Sequence, residues 1–193
     1  METMLSIFVG VGLSAACGFR IFIPLLIMSI ASLSGQLVLS PEFEWIATYP
    51  ALAAFSIATL FEISAYYIPW VDNLLDAFAI PAATVAGTIV MASAVSEMSP
   101  FLQWSLAVIV GGGVAGTIQG FTSITRIAST ATTGGLGNPI VSTAEVGGSV
   151  IMSILALTLP VVAMIAVVVI IFFAFRKIYM WLSGRNKLQA QQE

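Results

Sequence analysis

Four charged residues stand inside otherwise apolar stretches of this chain: Arg20, Glu62, Arg126 and Glu145. A charge near the centre of a bilayer costs at least about 3 kcal/mol on insertion scales, so each is expected to face a bundle interior with a partner. Two guanidinium forks near freed helix ends could hold an anion such as a phosphate head group. The plainer reading pairs Arg20 with Glu62 and Arg126 with Glu145 as structural ion pairs. A transporter could use both, exchanging one partner for another. Glu62 and Glu145 are also candidates for carrying a coupled proton. Asp72, Asn73 and Asp76 could offer oxygen ligands to a divalent cation, although they also suit the solvated face of an amphipathic helix.

The stretch from Gly111 to Gly148 holds most of the chain's glycines and only Arg126 and Glu145 as charges. The spacing of Gly112, Gly116 and Gly120 is ordinary for closely packed membrane helices. Packing does not explain Thr132 to Asn138, which is too polar and glycine-rich to continue a lipid-facing helix. Non-helical backbone at membrane depth is tolerated only against protein or a water-filled cavity. This segment is therefore either an external loop or the lining of a site, with Gly134, Gly135 and Asn138 beside the arginines.

Much chemistry is excluded. The chain has no His, which removes Ser-His-Asp and Cys-His catalysis, His-based metal sites and the usual near-neutral general base. Cys17 alone allows no internal disulfide and no cysteine metal cluster. No cofactor is implied, and an enzyme is not expected. A formal net charge of -3 argues against a nucleic-acid partner, which needs clustered Lys and Arg.

The elements that position these residues belong to a membrane. Of 193 residues 59% are hydrophobic and 8% charged, and mean hydropathy is +1.06, whereas soluble domains are roughly a quarter charged. The length fits one bundle over 1–193, at roughly 20 residues per crossing. Met1 to Met4 lack the basic start of a cleavable signal, so the first apolar run is expected to be retained. Leu5 to Leu33 is apolar, with Arg20 near its middle and Pro24 after it, so a kinked or broken helix is expected there. Pro50 to Ile68 is the second crossing, ending in the aromatic belt of Tyr66, Tyr67 and Trp70. Val71, Leu74, Leu75 and Phe78 suggest a short interfacial helix, and Pro81 to about Ser96 a third crossing. A fourth starts near Trp104. The last helix is expected from Pro139 to Phe175, capped by Asn138 and kinked at Pro160. Arg176, Lys177, Arg185 and Lys187 place the tail, 176–193, in the cytoplasm by the positive-inside rule.

Gly10, Ser14, Gly18 and Phe19 match Gly112, Gly116, Gly120 and Phe121 at one constant spacing. One reading of this is a duplication with halves at 5–76 and 104–175 and a linking helix at 79–96. Copies separated by an odd number of crossings would be inverted, with a midplane site between discontinuous helices.

The segment Glu62 … Pro69-Trp70-Val71-Asp72-Asn73-Leu74-Leu75-Asp76 … Pro81-Ala82-Ala83 resembles a small bacterial integral-membrane family catalogued only as a domain of unknown function. Gly12-Leu13-Ser14 … Gly18-Phe19-Arg20 and Gly134 to Glu145 resemble its other recurrent parts. The family carries an acidic-basic pair where this chain has Tyr66-Tyr67, which puts any role for that position in doubt. The resemblance implies a membrane protein, here expected in the bacterial cytoplasmic membrane, and supplies no activity.

The sequence thus reads as an all-α polytopic membrane protein with five or six membrane segments, two broken or re-entrant near Arg20 and Arg126–Asn138. The leading function is a small transporter or lipid-carrier translocase for an anionic, phosphate-like substrate. Its expected partners are membrane lipid, the anion or head group, and a second copy of the chain. The alternatives are a structural or assembly protein whose Arg-Glu pairs only stabilise the bundle, and a small ion channel lined by glycine-rich backbone.

Overall fold

The computed structural model describes residues 2–96 and 98–189, and the described residues are helical with short links. The helices are α1 (Glu2–Cys17), α2 (Phe22–Leu33), α3 (Tyr49–Ala65), α4 (Pro69–Ala94), α5 (Pro100–Leu106), α6 (Gly113–Thr133), α7 (Asn138–Thr158) and α8 (Pro160–Gln189). A 3-10 turn, Pro41–Ala47, precedes α3, and a π-helical turn, Ala107–Gly112, joins α5 to α6.

Proline punctuates the chain. Pro50, Pro69, Pro100, Pro139 and Pro160 each sit at the first or second position of a helix, where the missing N–H would be unpaired anyway. Pro81 instead lies inside α4. The interfacial helix and the third crossing expected from sequence are therefore one continuous helix. The final segment divides where one helix was expected: Leu159 leaves helical geometry at φ -136 and ψ 67, and Pro160 starts α8.

Among the described residues, three helical runs are long and apolar enough to cross a bilayer: Leu74–Ala94, Pro100–Thr133 and Asn138–Thr158. The 3-10 turn and α3, bent by 66°, make up to four if they count as one span. The five or six segments read from sequence are somewhat high: among the described residues, the apolar helices Thr3–Cys17 and Phe22–Leu33 are each under 18 residues, short of the roughly 20 needed. Outward-facing Ile109, Ile151, Ile165 and Phe172 are more than half exposed, as lipid-facing positions should be. The chain is an integral membrane protein by these spans.

The core is built on α1, which packs against α4, α6, α7 and α8. Leu13, Ala15, Ala16 and Cys17 are fully buried. Small residues let the backbones approach. Ser14 Oγ donates to Gly87 O of α4 at 2.9 Å, and Gly111 of the π turn lies against Gly87 and Met91. α4 ends under a polar clasp, in which Ser40 N donates to Ser93 O and Gln103 Nε2 to Ala92 O. An open recess of about 640 Å³ on α5 and the π turn, lined by Phe101, Trp104 and Ile109 among others, contains no charged side chain.

The same contacts overturn the inverted relation between the two small-residue stripes. Gly10 meets Met91 and Ser14 meets Gly87, while Gly112 meets Thr88 and Gly116 meets Thr84. Both stripes run antiparallel to α4, so α1 and α6 run the same way. The stripes also end differently: Gly18 packs on Ala115 and Ile118, whereas Gly120 faces open space.

A Cβ at Gly87 would lie 2.7 Å from Gly111 O. Gly87→Ala should lower the stability of the purified protein by about 1–3 kcal/mol, measured by thermal unfolding in detergent. Gly113→Ala, where nothing lies within 4 Å of the new methyl, should be neutral or stabilising by up to about 1 kcal/mol.

Candidate functional site

The break after α1 creates the site. Gly18–Ile21 link α1 to α2, and Arg20 sits in that link with 1% of its surface exposed. Pro24, the third residue of α2, explains why the helix restarts here. It has no N–H to continue the ladder, and its ring would clash with the carbonyl of Arg20 in an unbroken helix. The restart frees backbone donors, and Ile21 offers no side-chain cap. Glu62 of α3 supplies one: Ile21 N donates to its Oε1 at 2.8 Å and Phe22 N to its Oε2 at 3.0 Å. A carboxylate at a helix N-terminus satisfies orphan donors and meets the positive end of the dipole.

Glu62 is therefore not the salt-bridge partner of Arg20 that the sequence suggested. That partner is Glu145, whose Oε2 lies 2.9 Å from Arg20 Nη2. The same Nη2 donates to Ser142 Oγ and, at 3.3 Å, to Ser142 O. The expected Arg126–Glu145 pair does form, side-on and bidentate: Nε donates to Oε1 at 3.0 Å and Nη2 to Oε2. Arg126 Nη1 also reaches Asp76 Oδ1 of α4 at 3.4 Å. One carboxylate thus holds both arginines.

The geometry of two helices explains the meeting. α6 and α7 form an antiparallel hairpin, in which Arg126 is seven residues before the end of α6 at Thr133 and Glu145 seven after the start of α7 at Asn138. Residues equidistant from the turn face each other. The break expected over Arg126–Asn138 is narrower than the sequence suggested. α6 is continuous through Arg126, and only Gly134–Gly137 turn, with φ at 64° for Gly134 and 91° for Gly135. These two left-handed positions close the hairpin tip, and nothing lies within 4 Å of a Cβ on either. Gly134 and Gly135 are therefore corrected from site lining to turn formers. Asn138 lies between the tip and the cluster. Its Nδ2 donates to Thr130 Oγ1 at 3.1 Å, so it pins the hairpin and, within α7 rather than capping it, starts the helix.

Tyr66, read from sequence as part of an interface belt, is buried against both guanidinium groups. Arg20 Cζ is 3.8 Å and Arg126 Cζ 4.0 Å from its ring centroid. The electron-rich ring attracts each cation, and the shared Glu145 Oε2 bridges the two like charges. Tyr66 follows Glu62 by four residues on α3, so both lie on one helical face; that spacing was visible in the sequence. Its neighbour Tyr67 shares a hydrogen bond with Thr143 Oγ1 of α7 at 2.8 Å. Ser142, also missed, is one turn before Glu145.

Asp76, the weak cation candidate, is engaged by Arg126, and the side chain of Asp72 lies outside the described residues. So do those of Lys177, Arg185 and Lys187 in the tail. Among the described residues no group of three or more His, Cys, Asp and Glu is placed to hold a metal.

Two features give the cluster chemical potential. Arg20 Nε and Nη1 are buried and have no hydrogen-bond partner, although they carry three of the five guanidinium N–H donors. Thr59 Oγ1, one turn before Glu62, is likewise unpartnered. A buried unmet donor costs about 1–3 kcal/mol. A polar row also continues along α7, where Asn138, Ser142, Glu145, Ser149 and Ser153 are all buried. Beyond it the packing is apolar and tight, with Gly12 of α1 against Ala156 and Ala163. Nε and Nη1 of Arg20 are thus left as donors while the Arg126–Glu145 pair stays intact.

A family model described as a domain of unknown function (DUF4126) matches residues 7–179, and the chain belongs to that family. No curated protein and no solved structure matches the chain.

The pairing leads to two expectations. Neutralising Glu145, not Glu62, should relieve Arg20→Ala: Arg20→Ala/Glu145→Gln should lose less stability than the two single changes together, by about 1–3 kcal/mol in a double-mutant cycle. Tyr66→Leu should cost about 1–3 kcal/mol through two lost cation–π contacts, while Tyr66→Phe stays close to the parent. Thermal unfolding in detergent reads both.

Proposed function

We propose that this DUF4126-family protein is a small carrier that moves a phosphate-like anion, free or as a lipid head group, across the membrane. The observation that carries the reading is Arg20: 1% exposed, with Nε and Nη1 unpartnered. An ion pair kept only for stability gains from meeting every donor, since a half-satisfied buried network is worse than an apolar core. An incoming oxyanion offers the acceptors that Arg20 lacks. It would draw Arg20 from Glu145, which keeps its bidentate hold on Arg126, so the exchange leaves no carboxylate without a partner. The polar row on α7 and the tight closure at Gly12 are consistent with a path blocked on one side, as alternating access requires.

A structural role is the second reading, and it too has an observation in its favour. Both oxygens of Glu62 and both of Glu145 are engaged by protein donors, as in a cluster that only fastens four helices. The channel reading drew on glycine carbonyls lining a path, and it has no comparable observation, because Gly134 and Gly135 form the hairpin tip.

Reconstituted liposomes separate these readings. Uptake of radiolabelled inorganic phosphate tests the free anion, and dithionite quenching of fluorescent phosphatidic acid tests the lipid head group. One of the two should move faster than in empty liposomes. Arg20→Lys, which keeps the charge but loses the planar fork, should slow it at least about tenfold, equivalent to about 1.4 kcal/mol, while the protein stays monodisperse. Full activity in Arg20→Gln, or no movement of either probe, would leave the structural reading.

A further inference from the structure

We infer that the site takes up its anion together with a proton, and that Glu145 is the group that accepts the proton. The inference rests on the transport reading and specifies how that site is driven.

Charged groups from several elements converge on the Arg20–Glu145–Arg126 cluster. The α1–α2 link brings Arg20, α6 brings Arg126, α3 brings Glu62 and the Tyr66 ring, and α4 brings Asp76 through its contact with Arg126. α1 adds the buried thiol of Cys17. α2 has no titratable residue, and the first in α8 is Arg176. Among these described groups, two positive charges stand against three negative ones, a formal net of -1.

A second negative charge cannot enter such a site at membrane depth without compensation, because little solvent is present to screen it. No further cation among the described residues reaches the cluster. A proton on one carboxylate restores the balance, and the structure distinguishes the three candidates. Glu62 is committed: each of its oxygens accepts a backbone N–H of α2, and protonation would remove a cap. Asp76 does not touch Arg20, so the anion's arrival changes nothing at its carboxyl. Glu145 Oε2 is the atom that both arginines share, and it is the one that loses a donor when the anion takes Arg20.

The step balances simply. The proton from the aqueous side bonds to Glu145 Oε2 as Arg20 Nη2 leaves it. Ser142 Oγ, released by the same Nη2, is then available to accept a hydrogen bond from the new O–H. Departure of the anion returns Arg20 to Glu145 and sends the proton to the far side, so one proton accompanies each anion.

The test uses the full chain in liposomes with the two probes above, inorganic phosphate and fluorescent phosphatidic acid, and the pH dye pyranine trapped inside. An acid-outside gradient should raise the rate of the transported probe at least about threefold over symmetric pH, and pyranine should report proton entry that depends on the probe. In Glu145→Gln the ratio of the two rates should fall to one, whatever rate survives. Glu145→Asp, Glu62→Gln and Asp76→Asn should each keep a ratio above one. Transport in the parent protein that ignores the gradient and carries no proton overturns proton coupling while leaving the carrier intact. Loss of the gradient response in Glu62→Gln or Asp76→Asn, with Glu145→Gln retaining it, overturns the assignment to Glu145. If neither probe moves in the parent protein, the transport reading fails, and this inference fails with it.

Discussion

The Glu145 carboxylate, buried and held by guanidinium groups from two directions, is the constraint around which the bundle closes. It lies in α7, and its partners arrive from the α1–α2 link and from α6. Removing charges from water is costly, and only close pairing offsets that cost. The helices bearing these groups must therefore pack to place them within reach. α1 could not approach α7 if its face carried large side chains at Gly12 or Ala16, and α6 meets α7 through the Gly134–Gly137 turn. Close packing and charge pairing are thus two aspects of one arrangement.

The broken helix follows from the same constraint. A continuous α1–α2 would leave no reason for Arg20 to sit at a helix end, and Pro24 disfavours that continuity. The cost of the break, two freed backbone donors, is met by Glu62 from α3. Tyr66, one turn further and just past the end of α3, then sets its ring against both guanidinium groups. One face of α3 therefore does two jobs: it caps the restarted helix and offers an aromatic ring to both cations. What stays unsatisfied is Arg20's remaining edge, and a polar atom left unmet in an otherwise well-paired interior is the point at which a ligand has most to offer.

Much of this was legible in the residues. The membrane class followed from 59% hydrophobic and 8% charged residues, and the helix starts from the prolines, whose fixed φ and missing N–H act locally. The importance of Arg20, Glu62, Arg126 and Glu145 followed from the energetic penalty of charge in an apolar segment, which needs no partner to be known. The Arg126–Glu145 pair was also accessible, since a hairpin sets residues equally far from its turn opposite each other.

The sequence could not decide which acid serves which base, because that depends on distances between helices far apart in the chain. Glu62 and Glu145 look alike as carboxylates in apolar helices, yet one caps α2 and the other binds two arginines. The direction of α6 relative to α1 was likewise out of reach. The matching small-residue spacing is the same whether the helices run parallel or antiparallel, and only packing on α4 shows them to be parallel. Tyr66 is the sharpest case: an aromatic at the end of a crossing suits the interface, and only the tertiary fold carries it inward against two cations. Local chemistry, fixed by residue type and spacing, determined where the charges and breaks must be. Pairing, direction and the place of Tyr66 were decided by which helices the fold brings side by side.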